Sequence, residues 1–423
     1  MPALIALLAV TLLAEPAPAP AACRGPLTRG SVVACALAEH PSVRAAEFGR
    51  EAVEGRKQSA RTLLPSNPQV EVTAAKRVGL WAPGQRDTNV YGRLSQELEI
   101  GGQRRKRMAV ADAEMVQAQA RIDLTERDIA AAALTAYFEV IAAQEQRTMI
   151  ARIAKTTETL VELSRTSEQA GLGSVLTADV AVAASVRVQR QRIEAERRVA
   201  AASAQLAGLL GQDPAGVPLS VQGDLAPLSI PAEVAALTDA ALLKRAEIDL
   251  AKSEREVFLR QVELYRRARV PNPSVVLYAQ RDGFAERVLG GGISFPITLP
   301  SPLGRSFAGE IAENKALARR AEAEVERWRR QVRTEVVVGF HDVQARHAEL
   351  ALFEDARLQR AEAHLEALGQ EMASGRMSIR EAVVLQQTFL EYLGTHIEAR
   401  RALALASVEL ARVAGLLPEE PKP

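Results

Sequence analysis

Apolar positions along this chain change from a helical spacing to an alternating one and back, and they do so twice. From about Ser31 to Leu64 they recur at the interval of an amphipathic helix. Pro65 with Asn67-Pro68 closes that segment, because proline lacks an amide donor and restricts the residue before it. Val70, Val72 and Ala74 then alternate with Gln69, Glu71 and Thr73, the pattern of a strand with one apolar face. Leu80 to Asp87 contains Pro83-Gly84 and reads as a loop. Val90 to Ile100 follows as a second strand, within the ~9–11 residues that a tilted membrane strand needs. In the second half, Ser274 to Arg281 and Leu289 to Leu299 predict another hairpin.

Each hairpin leads into a charged, alanine-rich segment without proline, roughly Arg104 to Gln169 and Gly304 to Ala373. Rising ~1.5 Å per residue, these helices approach about 100 Å, longer than an ordinary globular domain is wide. Each ends at a glycine turn, Ala170-Gly171-Leu172-Gly173-Ser174 and Ser374-Gly375-Arg376-Met377-Ser378. A second helix follows each turn, Val175 to Leu210 and Ile379 to Ala414, expected to run back antiparallel.

The two halves correspond in detail. Asn67-Pro68-Gln69-Val70-Glu71-Val72 has a counterpart in Asn272-Pro273-Ser274-Val275-Val276-Leu277, and Arg93-Leu94-Ser95-Gln96-Glu97-Leu98 in Gly292-Ile293-Ser294-Phe295-Pro296-Ile297. Gly171 and Gly375 are 204 positions apart, and so are Gly211 and Gly415. Two landmarks in one register predict a tandem structural repeat. Residues 23–210 form the first unit, 211–231 a connector carrying Pro214, Pro218, Pro227 and Pro231, 232–417 the second unit, and 418–423 a tail too polar and proline-rich to order itself. The fold class expected is mainly α with a small β part.

Composition sharpens this picture. Hydrophobic residues reach 48% while aromatics are only 4%, so the core must be small-residue and ridged, as between long helices. Lys plus Arg number 53 against 52 Asp plus Glu, which leaves no excess positive charge to hold a phosphate backbone and excludes nucleic acid as an expected partner. The opening MPALIALLAVTLLAEPAPAPAAC places an apolar run from Ala3 to Ala14 ahead of proline and small residues, the layout of a secretory signal peptide over residues 1–22, although no Lys or Arg precedes the run. Cys23 stands where a lipoprotein signal would end and is a candidate for lipidation, but Pro20-Ala21-Ala22 lacks the aliphatic residue usual three positions upstream. Cleavage after Ala21 and a Cys23–Cys35 disulfide in an oxidising compartment are the competing readings.

No other stretch approaches the ~20 apolar residues of a transmembrane helix, so any membrane insertion must be β. Four strands cannot close a barrel, and an open edge in lipid would leave amides unpaired. Three chains would supply twelve strands. Trp81, Tyr91, Tyr278 and Phe284 are the aromatics best placed for an interfacial girdle. Catalytic chemistry is not indicated. His40, His341, His347, His364 and His396 lack the spacing of a zinc site and read as solvated helix positions, and no nucleophile elbow, phosphate loop or His-Glu-x-x-His sequence occurs. Carboxylates interleave with arginine, as in Arg319-Arg320-Ala321-Glu322-Ala323-Glu324, the pattern of an exposed helix face.

The order helix, hairpin and long helix pair, twice over, together with LSQELEIGGQRRKR (Leu94 to Arg107), AGLGS and SFPITLPSPLGRSFAGEIAENKA (Ser294 to Ala316), resembles the TolC-type outer-membrane efflux channels. Glu99-Ile100-Gly101-Gly102-Gln103-Arg104 is similar to a stretch of the CzcC-like branch, with Gln103 in place of its usual lysine. The resemblance implies a homotrimer in outer-membrane lipid, with a 12-stranded transmembrane barrel and a periplasmic α-helical barrel. It implies a passive conduit without cofactor, metal or catalytic residue, serving a tripartite efflux pump of the RND type. A periplasmic adaptor (membrane fusion protein) would couple it to an inner-membrane transporter by docking on the tips at Gly171, Leu172, Ser174, Gly375, Met377 and Ser378. The same residues also suit plain turns and caps. Glu381 falls where the family closes its tip with carboxylates and is a candidate gate, while Ser378-x-x-Glu381 is equally a capping box and Thr177 holds the matching place in the first unit. The branch is associated with heavy-metal cation export, yet the chain has no His, Cys or Met cluster to select a metal. A channel for type I protein secretion and a periplasmic coiled-coil adaptor or scaffold are the alternatives.

Overall fold

The computed structural model describes residues 23, 25–78, 86–171, 174–216, 219–281, 286–297, 299, 303–374 and 376–417; the signal-peptide and tail segments lie outside them. Among these residues the chain runs α1 (Arg29–Glu39), α2 (Pro41–Ala60), β1 (Gln69–Val78), β2 (Arg86–Glu97), α3 (Gln103–Gln169), α4 (Val175–Leu209), α5 (Val234–Lys244), α6 (Ala246–Ala268), β3 (Ser274–Arg281), β4 (Arg287–Ser294), α7 (Ala308–Leu350), α8 (Asp355–Ala373) and α9 (Ile379–Val413). Arg29, Pro41, Gln69 and Gln103, which open α1, α2, β1 and α3, each precede by 205 positions the residue that opens α5, α6, β3 and α7. The helices α4 and α9 are both 35 residues long and open 204 positions apart.

The 67 residues of α3 form one helix of about 100 Å because nothing within them removes an amide donor or relaxes the backbone. It starts after Gly102 and stops before Gly171, both at positive φ, where a side chain would be strained. Through its middle, Ala130, Ala131, Ala133, Leu134, Ala136, Tyr137, Phe138 and Val140 are all buried, packed with Val32 and Ala36 of α1, with Leu206, and with Ala404 and Val408 of α9. Alanine at so many of these positions lets the helix axes approach closely, which explains a core with few aromatics.

Three helix boundaries depart from the sequence reading. The segment expected as one helix from Ser31 to Leu64 is two, because Pro41 starts a new helix and His40 caps it, its Nδ1 accepting from the Ser42 amide at 3.1 Å. The run expected to be continuous from Gly304 to Ala373 begins at Ala308 and is broken at residues 351–354. At the break the Phe353 ring packs between Tyr392 and His396, with centroids 5.4 and 5.3 Å away, and the extended Glu354 starts α8. Strand β2 stops at Glu97 instead of Ile100, since the Leu98 amide turns to the Pro273 carbonyl at 2.8 Å. Strand β4 stops at Ser294, ahead of Pro296, which has no donor for a ladder.

The N-terminal segment is tied down twice. Leu27 pairs in parallel with the connector, its amide bonded to Ser220 O at 2.7 Å and its carbonyl to the Gln222 amide at 2.9 Å. Cys23 is joined to Cys35 of α1. Of the readings open to Cys23, the structure shows the disulfide.

Candidate functional site: a two-faced sheet and two helical tips

The four strands form one antiparallel sheet in the order β1-β2-β3-β4. Its middle ladder pairs β2 with β3, so Leu94 lies opposite both Val70 and Leu277, and Leu277 opposite Gly291. Residues directly opposite share a face, so one face carries Val70, Val72, Ala74, Val90, Gly92, Leu94, Val275, Leu277, Ala279, Leu289, Gly291 and Ile293. Among the described residues nothing covers it: Val70 is 73% exposed, Val72 72%, Leu277 56%, Leu289 84% and Ile293 65%. A continuous apolar surface of this kind is costly in water. Below it Phe295, Ile297, Leu299 and Leu303 are exposed as well.

The other face is polar. It carries Gln69, Glu71, Thr73, Asn89, Arg93, Ser95, Ser274 and Gln280, with Arg93 3.9 Å from Glu71. Tyr91 and Tyr278 sit here too, their rings 6.1 Å apart, and Tyr278 covers Gly290, where an added Cβ would fall 2.4 Å from the ring. The register therefore corrects their expected place in a girdle, since both tyrosines face away from the apolar surface. Trp81 and Phe284 lie outside the described residues.

At the root of the sheet, Asn272 Nδ2 donates to Glu97 at 2.7 Å, and Gln103 Nε2 donates to Asn272 Oδ1 at 2.8 Å and to the Val270 carbonyl at 3.1 Å. Gly101 leaves room for this clamp, because a Cβ there would come within 2.8 Å of Gln103 and Val270. Gln103 thus ties the start of α3 to the loop ahead of β3.

The far ends of the helices are the two tips. At the first, Gly171 turns the chain at φ 71° and Ser174 caps α4, accepting from the Thr177 amide at 3.3 Å. At the second, Ser378 and Glu381 make a reciprocal capping box: Ser378 N–H and Oγ–H reach the Glu381 carboxylate at 2.9 and 2.7 Å, and the Glu381 amide reaches Ser378 Oγ at 3.3 Å. These bonds, the backbone one foremost, hold the Glu381 carboxyl below the usual carboxylate range. Met377 packs on the cluster that contains Leu368, Met372 and Ala382. Leu172 and Gly375 lie outside the described residues.

Sequence reasoning missed two polar groupings midway along the molecule. Arg245 is 1% exposed and bonds both oxygens of Glu247 and the Val413 carbonyl, while Arg127 reaches the same carboxylate at 2.5 and 2.8 Å. Burial by itself would raise the Glu247 pKa, but the two guanidiniums outweigh it and hold it at about 2. Farther along toward the tips, α3, α8 and α9 line a half-open cavity of about 1030 Å³ that includes Glu145, Arg152, Ile153, Leu393, His396 and Arg400. His396 is half-buried there, so it is no solvated helix position, and burial together with Arg400 lowers its pKa. Among the described residues no group of three or more His, Cys, Asp or Glu is placed to hold a metal ion, and no helix is long and apolar enough to cross a membrane.

The family described as Outer membrane efflux protein matches residues 32–212, the stretch from α1 through the first tip to the end of α4. This region is similar to that family. The efflux fold extends over nearly the whole chain. The outer membrane channel CmeC of Campylobacter jejuni superposes with a TM-score of 0.74 at 15% identity, over 92% of this chain and 85% of that one. CusC superposes with a TM-score of 0.71 at 14% identity, over 92% of each chain. The MtrE outer membrane channel of Neisseria gonorrhoeae, described in its open state, gives 0.67 at 18%, over 92% and 88%. No curated protein sequence matches the chain. With this match and fold, the chain is not an enzyme, and it resides in the cell outer membrane with a large periplasmic portion.

Proposed function

We propose that three copies of this chain close a 12-stranded barrel through the outer membrane and a helical barrel below it, forming the passive conduit of a tripartite export pump. The observation that carries this reading is the exposed apolar sheet face, bounded by β1 and β4, each of which is paired on one side only among the described residues. A soluble periplasmic scaffold would have no use for such a face, and a lone four-stranded sheet in lipid would leave two edges unpaired. The constant offsets between the halves support a tandem repeat, with units at 23–210 and 232–417 and a connector at 211–231. Closure predicts a heat-modifiable trimer in detergent extracts of the outer membrane. Recovery of a monomer from the soluble periplasm would overturn it.

In this reading the tips at Gly171, Leu172, Ser174, Gly375, Met377 and Ser378 receive a periplasmic adaptor, and an inner-membrane transporter supplies the energy. Glu381 is the gate, one carboxylate per protomer kept ionised by its cap at the narrow end of the tunnel. Glu381→Gln is expected to raise single-channel conductance and weaken cation preference. Unchanged values would reduce Glu381 to a cap alone. The CzcC-like stretch from Glu99 to Arg104 supports heavy-metal cations as cargo over secreted protein. Pull-down of the adaptor and transporter with the intact trimer decides between those cargoes.

A further inference from the structure

The apolar face of the sheet ends in cations. Moving from the roots of the strands to the hairpin tips, the rows Val70-Leu94-Leu277-Gly291 and Val72-Gly92-Ala279-Leu289 carry no charge. The next row is Ala74-Val90-Arg281-Arg287, and the one after it begins Lys76-Thr88. Arg281 and Arg287 are direct cross-strand partners on the same face, and both are exposed, as is Lys76. Their Cβ atoms are then about 5 Å apart, a separation at which two like charges repel. None of the three has an ion pair or side-chain hydrogen bond among the described residues, and no acidic residue of the described strands shares their face.

We propose that Arg281 and Arg287, with Lys76 two strands away on the same face, form a site for the phosphate group of a phosphorylated lipid in the outer leaflet. The site rests on the membrane reading above, which puts the uncharged rows in hydrocarbon and, because the helices leave the sheet at its other end, the hairpin tips toward the cell exterior. Charge is tolerated on the lipid face of a barrel near the interface and not at its middle, which is where these residues begin. Two guanidiniums side by side offer the forked donors that phosphate oxygens take in pairs. Acyl chains of the same lipid would lie along Leu289, Leu277 and Val72, so a single molecule satisfies both the cations and the apolar surface beneath them.

The test uses the detergent-purified trimer, incubated with diphosphorylated lipid A or with its dephosphorylated counterpart, and counts retained lipid by native mass spectrometry. Wild-type protein is expected to retain the phosphorylated lipid about ten-fold or more over the other, on the scale of a few basic residues at a membrane surface. R281Q/R287Q should lose most of that preference while remaining a heat-modifiable trimer; if this variant fails to assemble, the wild-type preference between the two lipids decides. Equal retention of both lipids by an inserted wild-type trimer overturns the site and leaves the membrane reading intact. Displacement of the lipid by millimolar inorganic phosphate overturns the lipid as its ligand. A wild-type chain that stays soluble overturns the membrane reading and the site together.

Discussion

Arg245 sits where α5 gives way to α6, with extended backbone and no proline or glycine to mark the bend. Its side chain explains the position: it spans Glu247, Glu335 of α7 at 2.9 Å and the last turn of α9 through the Val413 carbonyl, while Arg127 brings α3 to the same carboxylate. Two guanidiniums and one carboxylate are out of water here, so removing the carboxylate takes from both cations their shared buried partner and leaves Arg127 only Asp128 and Arg245 only Glu335 and the Val413 carbonyl. Glu247→Gln is expected to destabilise the helical part by roughly 3–5 kcal/mol, read as a fall in the thermal midpoint of the helical circular dichroism signal. The pH dependence has a definite sign. Because the folded pKa lies below the ordinary value of 4.5, the contribution of this group is complete above pH 4.5 and is lost as pH falls toward about 2. The variant should lack that acid-labile component. None of this was legible in the sequence, where Arg127, Arg245 and Glu247 look like any charged positions of a long helix.

Among the elements, the strands and the long helices could be read in advance because their periods differ and because glycine and proline punctuate them. The alternation of Val70, Val72 and Ala74 survives in the ladder, and the serine caps at Ser174 and Ser378 start α4 and α9. The breaks at Arg245 and at residues 351–354 could not be read, since they are decided by partners more than thirty positions away, Val413 for one and Tyr392 with His396 for the other. The face taken by Tyr91 and Tyr278 likewise needs the register, which spacing alone does not set. At the N-terminal segment the disulfide closes a short loop, for which the chain-entropy account gives about 3 kcal/mol of stabilisation. Alkylation of the native protein should leave Cys23 and Cys35 unmodified until a reductant is added, and the N-terminal peptide should carry no acyl mass. An acylated Cys23 in that peptide would break the assignment.

At the scale of the whole molecule, the two faces of the sheet have opposite tolerances. Leu277 lies in the middle of the uncharged band and Thr73 on the polar face. In the proposed barrel, Leu277→Arg places a cation in hydrocarbon, at roughly 2–4 kcal/mol per protomer near mid-membrane, whereas Thr73→Arg adds one more charge beside Arg93 in an aqueous lumen. The yield of heat-modifiable trimer should therefore drop sharply for the first and change little for the second. Equal losses would mean that neither face is set apart for lipid, and the reverse order would mean that the faces are assigned the wrong way round.

The central ladder also dictates an order of events. Each hairpin joins strands that are neighbours in the chain, but β2 ends at Glu97 and β3 begins at Ser274, so the seam between them must wait for well over a hundred intervening residues. Contacts of that separation form late, after the loop between them has been closed. Until then the nascent chain in the periplasm exposes half a sheet with one greasy side and a bare edge, the kind of intermediate that aggregates unless a holdase shields it. Delivery to the membrane is thus a race between this seam and self-association, and the long helices, which fold locally and fast, are what bring its two sides together.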